Sequence, residues 1–159
     1  MGVSINLYRV SKAEKLDDLK ELNKELENSI STKVDLYKMS EDLAIIFLNE
    51  IEPFNDIETI PYKMLFGNSV PIQFDLPQIG GFIPSSDISA ITDWIEKHNL
   101  KTFEGFSEMH TNLSDEVKTH LQDIDSPDAQ ELYSGYVKPL INFYSQAIKL
   151  NNSVVICGE

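Results

Sequence analysis

The sequence predicts an α+β fold, in which a small sheet packs with several helices in one compact domain. Residues 3–10 alternate between apolar and polar side chains, which is typical of a strand. Residues 153–157 are almost wholly apolar, as in a strand inside a sheet. Between them, apolar residues recur every three or four positions, which indicates helices. We therefore expect the N- and C-terminal strands to be neighbours in the sheet of a single domain spanning 1–159.

The N-terminal strand places alternate residues such as Ile5 and Leu7 on its buried face. Ser11 and Glu14 then have the spacing of a capping box, which predicts that a helix of about four turns begins there. That helix would direct one apolar stripe toward the core. The stripe consists of Ala13, Leu16, Leu19, Leu22 and Leu26.

The next elements are a short strand at 33–38 and a helix with an apolar body at 43–48. Ser40 lies where it could cap that helix. Residues 50–61 form an acidic loop, and a short helix at 62–66 follows it. That helix is expected to end at Gly67 and Asn68, because glycine adopts the left-handed backbone that terminates helices.

Residues 69–86 show neither a helical nor a strand repeat, and they contain Gly80 and Gly81. Long loops in compact domains are often functional, so this stretch could cover a binding pocket. It could equally pack its apolar side chains onto the core. Those side chains are Ile72, Phe74, Leu76 and Phe82.

A helix capped by Ser86 or Asp87 is predicted next, ending near 98–99. Two short helices are expected between 103 and 125, and Ser114 is placed to cap the second.

Ser126 and Pro127 predict the start of a long C-terminal helix that reaches 151, since proline is favoured at the first helical position. Pro139 cannot donate a hydrogen bond to the carbonyl of Gly135, so we expect a kink in this helix. A long kinked C-terminal helix therefore completes the predicted fold.

Acidic residues are distributed unevenly along the chain, whose net charge is −13. Residues 1–38 carry seven acids and seven bases, whereas 39–96 carry ten acids and one base, Lys63. A surface of this kind repels nucleic acid and anionic lipid and attracts basic proteins. The alternative is that the acidity serves only solubility.

The sequence contains no recognisable catalytic, metal-binding or cofactor-binding motif. Cys157 is the single cysteine and no histidine pair has zinc spacing, so we predict no metal site and no cofactor. The richest polar cluster is 104–110, where Glu104 and Glu108 would share a helix face beside His110. These three side chains are the candidate polar groups of a pocket under the 69–86 loop, in either an enzyme or a small-molecule-binding protein.

Several segments also occur in a familiar order. A strand follows Met1-Gly2 at once, VDLYK at 34–38 precedes an apolar helix, Leu-Phe-Gly occurs at 65–67, and VVICG closes the chain at 154–158. This order resembles the YfbM-like family of bacterial domains of unknown function over nearly the whole chain, although the helix at 41–48 lacks the Trp usual in that family. The resemblance implies a single α+β domain in a bacterial cytoplasm, and it assigns no catalytic residues.

The first functional hypothesis is an acidic protein-binding domain, most concretely an immunity-type inhibitor that neutralises a toxin by one-to-one binding. Its partner would be a basic protein, either a toxin or an effector, steered by charge. The expected contact lies in the acidic loop and consists of Glu50, Glu52, Phe54, Asp56 and Glu58. The alternatives are the pocket described above and a purely structural domain.

A cytoplasmic location is expected, with no membrane contact and no nucleic-acid partner. The start of the sequence has too short an apolar run for a secretory signal, and no run approaches the roughly 20 residues of a membrane span. The sequence leaves the oligomeric state open.

Overall fold

A five-stranded antiparallel sheet organises the residues that the computed structural model describes, 4–70 and 79–158. Its spatial order is β2-β1-β5-β4-β3. The strands are β1 (Ile5–Val10), β2 (Val34–Tyr37), β3 (Asn68–Ser69), β4 (Ile79–Ile83) and β5 (Ser153–Gly158). The two terminal strands pair along their full length, which confirms the prediction that the apolar C-terminal strand lies inside the sheet beside the first strand.

Helices fill the connections between the strands. They are α1 (Leu22–Asn28), α2 (Ser40–Leu48), α3 (Ile60–Phe66), α4 (Ile88–Lys97), α5 (Phe103–Thr111), α6 (Asp115–Asp123), α7 (Ala129–Leu132) and α8 (Lys138–Lys149). A π-helical segment, Tyr133–Val137, joins α7 to α8, so the three form one long helix. The α+β class and the long C-terminal helix are thus confirmed.

The main core lies on one face of the sheet. Leu7 and Ile156 project from β1 and β5 into a cluster with side chains of α2, α4 and α8, among them Ile45, Ile91 and Tyr144. The opposite face is also covered, because Val10, Val155 and Cys157 pack under the segment between β1 and β2. Burial on both faces explains why β5 is apolar at nearly every position.

The predicted N-terminal helix is wrong as a continuous element. The structure has a 3₁₀ turn at Leu16–Asp18 and then the short helix α1. Ser11 hydrogen-bonds the carboxylate of Glu25, and Glu14 accepts a hydrogen bond from the Ser86 hydroxyl at 2.7 Å. The proposed capping residues therefore make tertiary contacts instead. The core-facing stripe is nevertheless confirmed, because all five of its residues belong to or pack against the apolar cluster of Val10, Val155 and Cys157. These residues are Ala13, Leu16, Leu19, Leu22 and Leu26.

The prediction of an irregular stretch over 69–86 is wrong at Ile79–Ile83, where the structure has strand β4. Its Gly80 and Gly81 have low strand propensity, so the sequence pattern conceals it. The structure shows why Gly81 is needed, because a Cβ atom there would lie 1.9 Å from the carbonyl oxygen of Phe66. Phe82 is buried against β5, as the covering interpretation expects, while Ile72, Phe74 and Leu76 lie outside the described residues.

Helix starts were predicted with mixed success. Ser114 caps α6 as expected, accepting a hydrogen bond from the Val117 N–H at 3.2 Å. The start at Ser126 and Pro127 is wrong by two residues, since Asp128 caps α7 through the Glu131 N–H. Asp128 thus accepts from the third N–H of its helix, as Ser114 does in α6.

One further helix start needs correction, and the structure also shows the backbone that surrounds the proline of the long helix. Ser40 is the first residue of α2 rather than its cap, which is Met39. Pro139 follows the π-helical segment, whose altered hydrogen bonding accommodates the missing N–H and is a known source of helix bends.

Candidate functional site

The acidic loop, defined as residues 50–58, leaves α2 through a left-handed residue, Asn49. Pro53 is buried and anchors the loop. Asp56 shapes its second half, because its carboxylate accepts from the Glu58 N–H at 3.1 Å and its carbonyl accepts from the Thr59 hydroxyl at 3.1 Å. The segment that follows Asp56 is therefore held by two local hydrogen bonds.

Apolar side chains are exposed among the acids of this loop. The side chains of Glu50, Glu52, Asp56 and Glu58 are all exposed. Between them, Phe54 keeps 47% and Ile57 keeps 50% of its surface accessible. The loop therefore presents two apolar side chains to solvent among its carboxylates.

A cavity of about 480 Å³ opens beside the loop at one end of the sheet, and we call it the sheet-end cavity. Three aromatic rings form one wall. Phe54 lies 5.5 Å from Phe66 and 6.5 Å from Tyr62 between ring centroids, and Tyr62 lies 5.0 Å from Phe66. The acidic loop and the cavity thus share Phe54.

Backbone and apolar groups of the sheet form the floor of the cavity. Its lining there comprises Ile5, Ile79, Ile156 and the glycines at 67, 80 and 158. Gly67 has φ +68°, a conformation that side chains rarely adopt, and it ends α3 where that helix meets β4. The close contact of Gly67 and Gly81 sets the position of α3, which carries Tyr62 and Phe66, over the sheet.

Polar side chains reach the cavity from the beginning of α2. Lys38, Ser40 and Glu41 all line it, together with Ser69 from β3. Lys38 and Glu41 are exposed, whereas Ser40 is buried. Among the described residues, the cavity therefore combines an aromatic wall with the ammonium group of Lys38, the carboxylate of Glu41 and the hydroxyl of Ser40.

The other predicted polar cluster lies elsewhere. Glu104, Glu108 and His110 are on α5, and none of them lines the sheet-end cavity. Glu108 borders a cleft with His98, whereas His110 borders another one. The structure therefore separates these side chains from the sheet-end cavity.

His110 shares its cleft with Lys118, Ser126 and Asp128. Burial lowers the pKa of His110 from its ordinary value, and the charge of Lys118 lowers it further, while Asp128 opposes the shift. The Ser126 hydroxyl, which is buried, has no hydrogen-bond partner among the described residues.

The lowered pKa of His110 predicts a contribution to acid instability. Below its ordinary pKa, near 6.5, the unfolded chain binds a proton more readily than the folded protein does, so stability falls as the pH drops through that value. His110→Gln should therefore show a smaller loss of urea midpoint between about pH 7.5 and 5.5 than the wild type. An unchanged pH dependence would contradict this assignment.

The sequence indicated Phe54 as a site residue, but it did not indicate Tyr62, Phe66 or the polar side chains at the beginning of α2. Tyr62 and Phe66 are four residues apart on α3, which places both rings on one helix face, and this spacing was the available signal. No sequence pattern brings Lys38, Ser40 and Glu41 to those rings, because the contact depends on the packing of α2 against α3.

The described residues contain neither a cluster of possible metal ligands nor a membrane-spanning helix. Between 4 and 70 and between 79 and 158, no three histidine, cysteine, aspartate or glutamate side chains are placed to hold a metal ion. In the same ranges, none of the helices has the length and apolar character to cross a membrane.

The fold is a single α+β domain whose terminal strands pair inside an antiparallel sheet. An aromatic cavity lies at one end of that sheet. The fold is similar to that of the crystal structure of YfbM from Escherichia coli, a protein of unknown function. The two align with a TM-score of 0.53 over 98% of this chain and 99% of that chain, at 14% identity. The likeness confirms the predicted YfbM-like fold. No family model and no curated protein matches the sequence.

Proposed function

We propose that this protein binds a basic protein partner one to one through the acidic loop. The observation that carries the proposal is the exposure of Phe54 and Ile57 among four exposed carboxylates. The carboxylates supply long-range attraction for a cationic surface, which raises the association rate. The apolar side chains supply the buried contact that slows dissociation.

The local structure of the loop supports the same proposal. Pro53 is buried, and the hydrogen bonds of Asp56 fix the turn before Thr59. Phe54 is held against Tyr62 and Phe66. A contact surface that is ordered before binding loses less conformational entropy in the complex.

The finer proposal is an immunity-type inhibitor that neutralises a toxin in the cytoplasm. It is supported by the small size, the net charge of −13 and the acidic loop, which suit the capping of a basic active surface. A toxin activity assay with added protein tests it, and inhibition at one-to-one stoichiometry is the expected result.

Phe54→Ala should weaken partner binding by about thirtyfold, because aromatic anchors at the centre of an interface contribute about 2 kcal/mol or more. The partner is first captured from lysate at low salt and purified, and its dissociation constant is then measured by calorimetry. Raising the salt from about 0.05 to 0.3 M should also weaken binding severalfold, mainly through the association rate.

Phe103→Ala is the matched control, since Phe103 is a comparably exposed phenylalanine on α5, far along the chain from the acidic loop. It should leave the affinity unchanged. Equal effects of the two substitutions, or an affinity that does not depend on salt, would overturn the proposed contact.

A second candidate function is the binding of a small molecule in the sheet-end cavity. The observation that favours it is the volume of about 480 Å³, which falls within the range of ligand sites, roughly 300–1,000 Å³. Ser69, Ile79 and Gly80 of the 69–86 stretch line this cavity, as the pocket hypothesis expects of that stretch. The polar groups that would serve it are those of α2 and not Glu104, Glu108 or His110.

A further inference from the structure

We infer that the sheet-end cavity binds a free α-amino acid with an aromatic side chain, an inference that rests on the second candidate function. The cavity has three kinds of lining, each suited to one part of such a ligand. These are the aromatic wall, a set of hydrogen-bond donors for the carboxylate, and a carboxylate for the ammonium group.

The aromatic wall takes the side chain of the ligand. Phe54, Tyr62 and Phe66 are in mutual contact at centroid distances of 5.0–6.5 Å, and Ile156 lies on the floor opposite them. Phe54 keeps about half of its surface accessible, so one ring face is open to a further aromatic partner. Aromatic pairs with offset or edge-on geometry gain more than their buried area alone provides.

Donors for a carboxylate group lie at the beginning of α2. This helix has nine residues, and its cap residue, Met39, provides no side-chain acceptor for the N–H groups of the first turn. Uncapped N–H groups at the positive end of a helix attract an anion. The ammonium group of Lys38 lines the cavity at the same place.

Ser40 is an independent indication of a ligand. It lines the cavity while only 4% of its surface is exposed, and no hydrogen bond of its hydroxyl occurs within 4–70 or 79–158. The hydroxyl can therefore donate a hydrogen bond to a molecule in the cavity. A carboxylate oxygen at the start of α2 would accept this hydrogen bond.

Glu41 determines which class of carboxylate-bearing ligand fits the cavity. Its side chain lines the same cavity, and it forms no ion pair in the described part of the chain. A simple anion would be repelled by Glu41 as well as attracted by Lys38. A zwitterion satisfies both groups, because its ammonium pairs with Glu41 while its carboxylate meets Lys38 and Ser40.

The test is a titration of the full chain with four probes that share a phenyl ring, followed by amide chemical shifts in NMR spectra. The probes are L-phenylalanine, 3-phenylpropionate, 2-phenylethylamine and 2-phenylethanol. L-phenylalanine should bind at least about tenfold more tightly than each of the others. Its shift changes should include the amides at the cavity glycines 67, 80 and 158.

Variants then assign the hydroxyl contact of Ser40 and the charged contact of Glu41. Ser40→Ala and Glu41→Gln should each weaken L-phenylalanine binding by about five- to tenfold and leave 2-phenylethanol unaffected. Glu27→Gln is the matched control, because it removes an exposed carboxylate that does not line the cavity. It should bind L-phenylalanine as the wild type does.

The outcomes separate this inference from the function on which it rests. If all four probes bind equally at the cavity, the amino-acid assignment is overturned and small-molecule binding stands. If 3-phenylpropionate binds as tightly as L-phenylalanine, the role of Glu41 is overturned. If no probe shifts the cavity amides, both the assignment and the small-molecule function fail.

Discussion

Gly81→Ala should lower the free energy of unfolding by roughly 3 kcal/mol or more, because the new Cβ atom has no space. It would lie 1.9 Å from the carbonyl oxygen and 2.9 Å from the carbonyl carbon of Phe66, and 3.3 Å from the Cα of Gly67. All three are backbone atoms, so no side-chain rotation relieves the clash. Either β4 separates from β5 or α3 moves away from the sheet.

The neighbouring glycine provides the control. A Cβ atom at Gly80 would have its nearest contact at 4.0 Å, the carbonyl oxygen of Ile156, so Gly80→Ala should change stability by less than about 1 kcal/mol. Urea unfolding followed by circular dichroism compares the two variants. Similar midpoints for both would contradict the contact between β4 and the end of α3.

Phe106→Ala should destabilise the protein by about 3–5 kcal/mol, the range for truncation of a fully buried phenylalanine. Phe106 has no accessible surface. Its ring stacks on Tyr133 at 5.8 Å and meets Phe47 edge-on at 6.5 Å. It thus joins α5 to α2 and to the long C-terminal helix, and the rigid packing of these rings prevents collapse of the cavity that truncation creates.

Phe103→Ala makes the same substitution on the same helix. Phe103 is 37% exposed and contacts Tyr133 at 5.8 Å, so its truncation should cost less than half as much. Thermal and urea unfolding of both variants measure the difference. Equal losses would show that Phe106 is not the residue that fixes α5 to the core.

Local patterns predicted the elements whose structure depends on local forces. The alternation in β1, the apolar run of β5 and the Ser114 cap of α6 each follow from the residues of one segment. Ser11 and Glu14 show where this reasoning fails, since distant side chains compete for the groups that a capping box would use. Strand β4 could not be predicted, because the need for Gly81 comes from Phe66 on another element.

The candidate site was predictable to a similar extent. The sequence alone indicates the acidic loop, since a run of acids interrupted by Phe54 is visible without a structure. The sheet-end cavity requires α2, α3 and four strands, β1, β3, β4 and β5, to meet, which is a property of the tertiary fold. The pairing of Phe54 with Tyr62 and Phe66 connects the predicted surface to the cavity.

The central claim is that the acidic loop is the contact surface for a basic partner. A quadruple variant that converts its four carboxylates to amides tests this claim, with substitutions E50Q, E52Q, D56N and E58Q. The matched control removes the same charge from exposed positions outside the loop, with substitutions D17N, E27Q, D93N and D123N. Both variants change the net charge by the same amount.

The decisive measurement is capture from the native lysate at low salt, with wild type and both variants as bait and with mass spectrometry of what salt releases. The account predicts that the wild type and the control retain the same basic protein in equal amounts, and that the loop variant loses it. Equal retention by all three, or loss from both variants alike, would contradict a contact at the acidic loop.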